Sequence, residues 1–380
     1  MLGAVAASAI GVAGTVFSIM IAALSLAAGQ MGPRLLRNFT HDRGNQVALG
    51  AFLGNFSYAL MVLRSVRTQG EGEFVPHLSL SAGILLAFLC AATLIYFVNH
   101  LSGRINVDTV IELVSGEIQD SIKRLGSVAP MTGPMPRLEP DDAALVSDPR
   151  CGYVLDLDAQ SLADWAARHD AVLQLLVRAR DYVFPGAPIA LCFPAVDGAE
   201  NAIRNAVSLS AERASSDDIE YAVRQLVEVA VRALAPCISD PHTAMSALDR
   251  LGGALCDLQP LHLPTRLFFR DKRCVLLVPA VDYDGLVDAM FHMIRQSAGG
   301  SATVLVRMLE VLTAVAAVER APARLQSVQR HVDLVVGDAR RRIGTPADRG
   351  DILQRADHFH AMRHLGPLAA LSKSNRATAA

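Results

Sequence analysis

From Met1 to Pro33 the chain carries no charged side chain. A helix crossing the hydrocarbon layer of a bilayer needs about 20 consecutive apolar residues, so this stretch is long enough with several to spare. A cleaved leader is the competing reading. It would start with basic residues, hold a shorter apolar core and end at a small-residue cleavage site. Here the basic start is missing and the apolar run is too long, so a membrane helix over about residues 5–30 fits better.

Two further segments follow. Val47–Leu63 is 17 uncharged residues, short for a span, with Arg43 before it and Arg64 after it placed to reach the two interfaces. Leu78–Val98 is 21 uncharged residues and closes on Tyr96 and Phe97, which suit an aromatic belt. The predicted membrane region is therefore 1–100, with spans at about 5–30, 47–63 and 78–98. Hydrophobic residues make up 52% of the chain and charged ones 19%, and the apolar excess sits in this region, which holds five Arg, three acidic residues and no Lys. A formal net charge of -2 with no dense basic run argues against a nucleic-acid partner.

Arginine placement sets the expected orientation. Arg34, Arg37 and Arg43 lie between the first two spans, and Arg104 follows the third on the same side; Arg64 and Arg67 occupy the other short loop. The positive-inside rule then puts the first loop and the C-terminal part in the cytoplasm of a bacterial cell, the chain being multi-pass in the cytoplasmic membrane. Small residues line the spans: Gly50 and Gly54 form a GxxxG pair, and Gly3, Ala7, Gly11, Gly14 and Ser18 recur along the first. Close backbone approach at such residues drives helix association in lipid, so helix packing and a homo-oligomer are expected. Asn55 is the most polar group inside a span, either helix glue or a pore-lining residue. No Asp, Glu, Lys or Arg lies within a span, which weakens a proton-coupled transporter and leaves a channel open.

Beyond the membrane region, Ile105, Val110, Ile111, Val114, Ile118, Ile122 and Leu125 recur at helical spacing, predicting a juxtamembrane helix over 101–125. Five prolines between Gly126 and Arg150 predict a flexible linker at 126–150. A β-rich subdomain is expected at 151–195, with strands at Gly152–Leu157, Ala171–Arg178 and Ile189–Phe193, a helix at Ser161–His169 and a turn at Pro185-Gly186. Residues 196–366 read as mainly helical, with a hairpin near 266–278, and 367–380 as a disordered tail. The fold class is thus a membrane α-helical N-terminal part plus a soluble α+β domain, a small β-barrel-like or curled sheet region followed by a helical domain. The six cysteines form no CxxC pair and fit core positions in a reducing compartment.

Few polar constellations stand out. Asp240-Pro241-His242-Thr243-Ala244 reads as a helix start, Asp as cap and Pro at the first position, and Asp217-Asp218 as an acidic first turn. The functional alternative for Asp217, Asp218, Asp240 and His242 is a site for a small ligand or ion at helix starts. His360 and His364 share a helix face at a spacing that can hold a metal, but no third ligand lies nearby, so a tail helix is the better reading and no metal is expected. No nucleophile elbow, phosphate loop or dinucleotide fingerprint occurs. No cofactor and no catalytic residue is therefore expected.

The strings Gly14-Thr15-Val16-Phe17-Ser18-Ile19, Leu24-Ser25-Leu26-Ala27-Ala28-Gly29-Gln30-Met31-Gly32-Pro33-Arg34-Leu35-Leu36-Arg37-Asn38-Phe39 and Asp42-Arg43-Gly44-Asn45-Gln46, with Leu49-Gly50-Ala51-Phe52-Leu53-Gly54, are distinctive. So are Pro185-Gly186-Ala187-Pro188 and Arg232-Ala233-Leu234-Ala235-Pro236 through Asp240-Pro241-His242-Thr243-Ala244. Together they resemble a bacterial family of predicted membrane proteins, domain of unknown function 2254, over the chain up to about residue 320. The resemblance implies no biochemical role. It implies a further hydrophobic segment upstream, so a fourth span before Met1 is expected. Three functions are compatible with the whole: an oligomeric channel or conduit gated by the soluble domain, a membrane-tethered binding or sensing module, and a membrane enzyme with an unfamiliar site near Asp240 and His242.

Overall fold

The computed structural model describes residues 2–31, 43–65, 77–105, 107–126, 143–211 and 219–367. Three long helices come first: α1 (Leu2–Met31), α2 (Arg43–Ser65) and α3 (His77–Ile105). Each is long and apolar enough to cross a membrane. The 17 uncharged residues of the middle segment are extended from Arg43 at the start to Ser65 at the end, into a 23-residue helix, about 35 Å at 1.5 Å per residue. Asn45, Ala48, Phe52, Asn55, Ala59 and Val62 form the buried face of α2, at alternating spacings of three and four. They meet Ala13 and Val16 of α1 and Cys90 and Phe97 of α3.

The glycines do not take part in this seam. A Cβ at Gly3, Gly11, Gly14, Gly50 or Gly54 would meet nothing within 4 Å. Alanines, Val16, Cys90 and two phenylalanines, Phe52 and Phe97, make the contacts within the described bundle, and the glycine faces have open space beside them.

One residue after α3, α4 (Val107–Leu125) turns Ile111, Val114, Ile118 and Ile122 into a large hydrophobic core. Its partners are α7 (Ile219–Ala233) and α8 (Pro241–Leu258). The juxtamembrane helix is thus a wall of the soluble domain.

The β region holds β1 (Ala144–Ser147), β2 (Gly152–Leu157), α5 (Ala159–Arg168), β3 (Val172–Leu175), β4 (Tyr182–Val183), β5 (Pro188–Phe193), α6 (Ala199–Ala206) and β6 (Val207–Ser210). The hairpin predicted near 266–278 is present as β7 (Leu267–Arg270) and β8 (Arg273–Leu277). Its turn residues Asp271 and Lys272 have φ of 48° and 66°, the double positive φ of a two-residue hairpin turn.

Two open sheets result, β1-β5-β3-β8-β7 and β4-β2-β6, so the strands do not close into a barrel. The hairpin joins the first sheet through a parallel pairing of β8 with β3, Leu173 opposite Leu276. Two sequence expectations change here. β1 falls inside the stretch read as linker, and β6 inside the stretch read as helical. Both are four-residue strands whose partners are remote in sequence, β5 for one and β2 for the other. Buried Asp148, just after β1, accepts an N–H of Arg150 Nη2 at 2.7 Å, and the same guanidinium donates to the carbonyl of Arg204 at 2.9 Å, which ties this segment to α6.

Four more helices follow among the described residues: α9 (Tyr283–Ser297), α10 (Ala302–Val318), α11 (Pro322–Arg342) and α12 (Pro346–Leu365). They share one core with α4, α7 and α8.

Candidate functional site

The residues singled out from sequence are scattered. Asn55 is 3% exposed and faces the interior of the three-helix bundle beside Cys90, while Gly50 and Gly54 lie on the outer side of the same helix. The Oδ1 atoms of Asn55 and Asn45 have no hydrogen-bond partner among the described residues. Asp240 acts as a helix cap: Oδ1 accepts the N–H groups of His242 and Thr243 at 3.1 and 3.2 Å, and Oδ2 accepts the Thr243 hydroxyl at 2.7 Å. The Thr243 hydroxyl and the two amides hold its carboxyl below the usual range. His242 is exposed on the first turn of α8, and Asp217 and Asp218 lie outside the described residues. His360 is half-buried edge-on to Phe359 and His364 is exposed. Among the described residues no group of three His, Cys, Asp or Glu side chains could hold a metal.

An open concave feature of the soluble domain lies elsewhere. A groove of about 740 Å³ runs between α7 and α9, within the size range of ligand sites. Its floor is apolar, from Val227 and Val231 on α7 and Ala289 and Met293 on α9. Arg224, Glu228 and Arg232 stand along one wall, one helical turn apart, and Asp288 and His292 along the other. Local sequence explains this. Ala222, Val223, Leu226, Val229, Ala230 and Ala233 bury most of α7, which leaves a single stripe for charge.

Each wall is organised by a shared ion. Glu220, 6% exposed, pairs with Arg224 and, at 2.9 Å, with Arg178 from the β region. Two guanidinium groups thus serve one carboxylate. Opposite, Arg330 of α11 bridges Asp284 at 2.8 Å and Asp288 at 3.0 Å. Hydrogen bonds from the Ser327 hydroxyl and Arg330 hold the Asp284 carboxyl low. Behind Asp288 sits His331, wholly buried, its Nε2 2.8 Å from Asp288 Oδ1. Burial pulls the imidazole pKa below its ordinary value, against the opposing hydrogen bond to Asp288. The neutral tautomer with hydrogen on Nε2 donates to the carboxylate, and Nδ1 has no partner among the described residues.

Sequence reasoning passed over Arg224, Asp288, His292 and His331. The one available signal, charges at 224, 228 and 232 on an otherwise apolar helix, has the form of an ordinary solvated stripe. The opposite wall comes from a helix 60 residues downstream and was not foreseeable from spacing.

A second network fastens the helices. Arg295 and Asp338 form a buried ion pair between α9 and α11, with Arg341 on the second oxygen of Asp338.

A family model described as "Predicted membrane protein (DUF2254)" matches residues 1–314. An uncharacterized protein of Mycobacterium tuberculosis is 31% identical over 366 residues, which covers 93% of this chain and 70% of that protein. An uncharacterized protein of Mycobacterium bovis matches at the same identity and coverage. No solved structure matches.

Proposed function

The chain belongs to the DUF2254 family of predicted membrane proteins, and from that premise we propose that it is a membrane-tethered binding module. In this reading α1, α2 and α3 cross the cytoplasmic membrane of a bacterium as an anchor, and the soluble domain faces the cytoplasm as the arginine count favours. The ligand site is the groove between α7 and α9. One observation carries it: an accessible apolar floor bounded by charges of both signs on two helices whose other faces are buried. The test is thermal denaturation of the full-length protein in detergent against a panel of amphiphiles and small charged solutes. At least one compound should raise the melting temperature, and Met293→Glu should cancel the rise. A panel with no effect, or shifts that survive Met293→Glu, would count against the reading.

The outward glycine faces favour a second, compatible reading. Copies of the chain associate through Gly50 and Gly54 of α2 and the small residues of α1, which have open space beside them. Gly54→Leu should then reduce cross-linking between copies in membranes without unfolding the chain. A conduit built on that association would need its lining from other residues, because Asn55 lies on the opposite side of α2. An enzyme centred on Asp240 and His242 has no observation in its favour, since both Asp240 oxygens are engaged by the cap.

A further inference from the structure

The helices of the soluble domain run between two ends. Gly126, just past α4, lies so close to Leu261, just past α8, that an added Cβ would meet it. The two helices share one core and have nearly equal lengths, 19 and 18 residues, so their first residues, Val107 and Pro241, lie together at the opposite end. Ile219 at the start of α7 and Val281 just before α9 line one small cavity with Leu125. α7 and α9 therefore start far from Val107 and run back toward it. α11 does the same. Near its start Arg324 donates to the carbonyls of Leu258 and Gln259 at 3.2 Å, and its last residue, Arg342, donates to the carbonyl of Gln296 near the end of α9. The Val107 end thus carries the α3–α4 junction, the α7–α8 loop and the α11–α12 corner.

Helix length places this end against the bilayer. The third apolar segment closes at His100, and α3 runs on to Ile105 before α4 opens at Val107. That is about 7–10 Å at 1.5 Å per residue, close to the roughly 5–8 Å of headgroup layer on each side of the hydrocarbon. A second attachment comes from α7, which packs against α1. The α7–α8 loop therefore sits at headgroup depth. Its tip is apolar: Pro236, Cys237 and Ile238 are exposed, Ile238 by 38%. The loop is also preformed. The N–H groups of Ile238 and Ser239 donate to the Ala235 carbonyl at 2.9 Å, and that of Asp240 donates to the Ala233 carbonyl at 2.8 Å. A fixed turn that holds an isoleucine outside the core at this depth suits insertion among lipid headgroups.

The α11–α12 corner adds charge. Arg340, Arg341, Arg342 and Arg349, with Arg295 behind them, are set against Asp338, Asp348 and Asp351, an excess of two positive charges. Exposed Asp108 and Glu112 stand on the α4 side of the same end, so attraction for anionic headgroups is local to the corner. We propose that this end of the domain rests on the bilayer in which the chain is anchored, with Ile238 inserted among the headgroups and Arg340 and Arg341 against anionic phospholipid. The proposal uses the anchoring part of the reading above and is independent of the groove.

The test is fluorescence quenching in nanodiscs whose lipids carry a spin label at headgroup level. Full-length Cys151→Ser protein is labelled at Cys237, and Cys237→Ser protein at Cys151 in the β region; the other four cysteines are buried or half-buried and common to both. Emission from Cys237 should fall by about twofold or more in phosphatidylglycerol discs, with emission from Cys151 unchanged. Ile238→Asp, on an exposed turn, should abolish the quenching. Arg340→Gln combined with Arg341→Gln should remove roughly half of it, as should replacing phosphatidylglycerol by phosphatidylcholine. No quenching at Cys237, equal quenching at both cysteines, or quenching that survives Ile238→Asp would overturn the proposal. Indifference to the two arginines and to lipid charge would overturn the assignment to anionic lipid. Protein that fails to enter the discs would overturn the anchoring reading with it, whereas loss of the ligand-induced thermal shifts alone would leave this proposal standing.

Discussion

The imidazole of His331 is held inside the helical domain by the Asp288 carboxylate, and burial disfavours its charged form. In the unfolded chain the same ring takes up a proton near pH 6.5. Below that pH the unfolded state therefore binds more protons than the folded one, and stability falls as pH drops from about 6.5 toward the lowered folded pKa. Urea denaturation at pH 7.5 and pH 5.5 should show this loss. His331→Gln, which keeps an N–H for Asp288, should flatten the difference between the two pH values. Asp240 has the same sign in a more acidic window. Its carboxyl is depressed, so its cap is present above about pH 4 and lost as pH falls further. Asp240→Ala should cost about 1 kcal/mol in the same urea measurement, with no change in ligand shifts. The cap was legible because Asp-Pro-His-Thr is a local code. His331 was not, because its meaning depends on an aspartate 43 positions away.

At the level of elements, the crossing of α8 and α10 depends on Gly252, where an added Cβ would run into the side chain of Val311. Val311 is β-branched, nearly buried and unable to step aside. Gly252→Ala should therefore destabilise by about 1–2 kcal/mol, overpacking outweighing the gain in helix propensity. Its neighbour Gly253 is exposed with nothing within 4 Å, so Gly253→Ala should stabilise by about 0.5–1 kcal/mol. Opposite shifts in melting temperature from adjacent glycines would check the crossing directly. The long helices were readable from periodicity and apolar length. The orientation of the glycines was not, because both faces of an apolar helix are hydrophobic and no pattern separates seam from outer side. The strands Ala144–Ser147 and Val207–Ser210 escaped because four residues carry little period-2 signal and both pair across long stretches of chain.

For the whole molecule, the proposed three crossings would bring the C-terminal ends of α1 and α3 to one side, the side from which the soluble domain departs. If that side is the cytoplasm, Cys151 and Cys237, both exposed, should be shielded from a membrane-impermeant maleimide in intact cells and labelled in inverted vesicles. Labelling in intact cells would reverse the orientation. The mixed fold class was visible in the change from charge-free segments to ordinary composition near residue 100. The merging of hairpin and β region into one sheet was not, since the parallel pairing of β8 with β3 joins residues about 100 positions apart.

The placement of α4 has a practical corollary. Ile111, Val114, Ile118 and Ile122 are at most 2% exposed because they fill the space between α7 and α8. A fragment cut where hydropathy drops and the proline-rich stretch begins, near residue 127, would leave those partners facing water. At about 1.5–3 kcal/mol for each large aliphatic side chain removed from a core, such a fragment would lose most of a domain's usual margin. The severable boundary of this protein therefore lies before Val107, and the helix that looks like a tether is the first folded element of what it tethers.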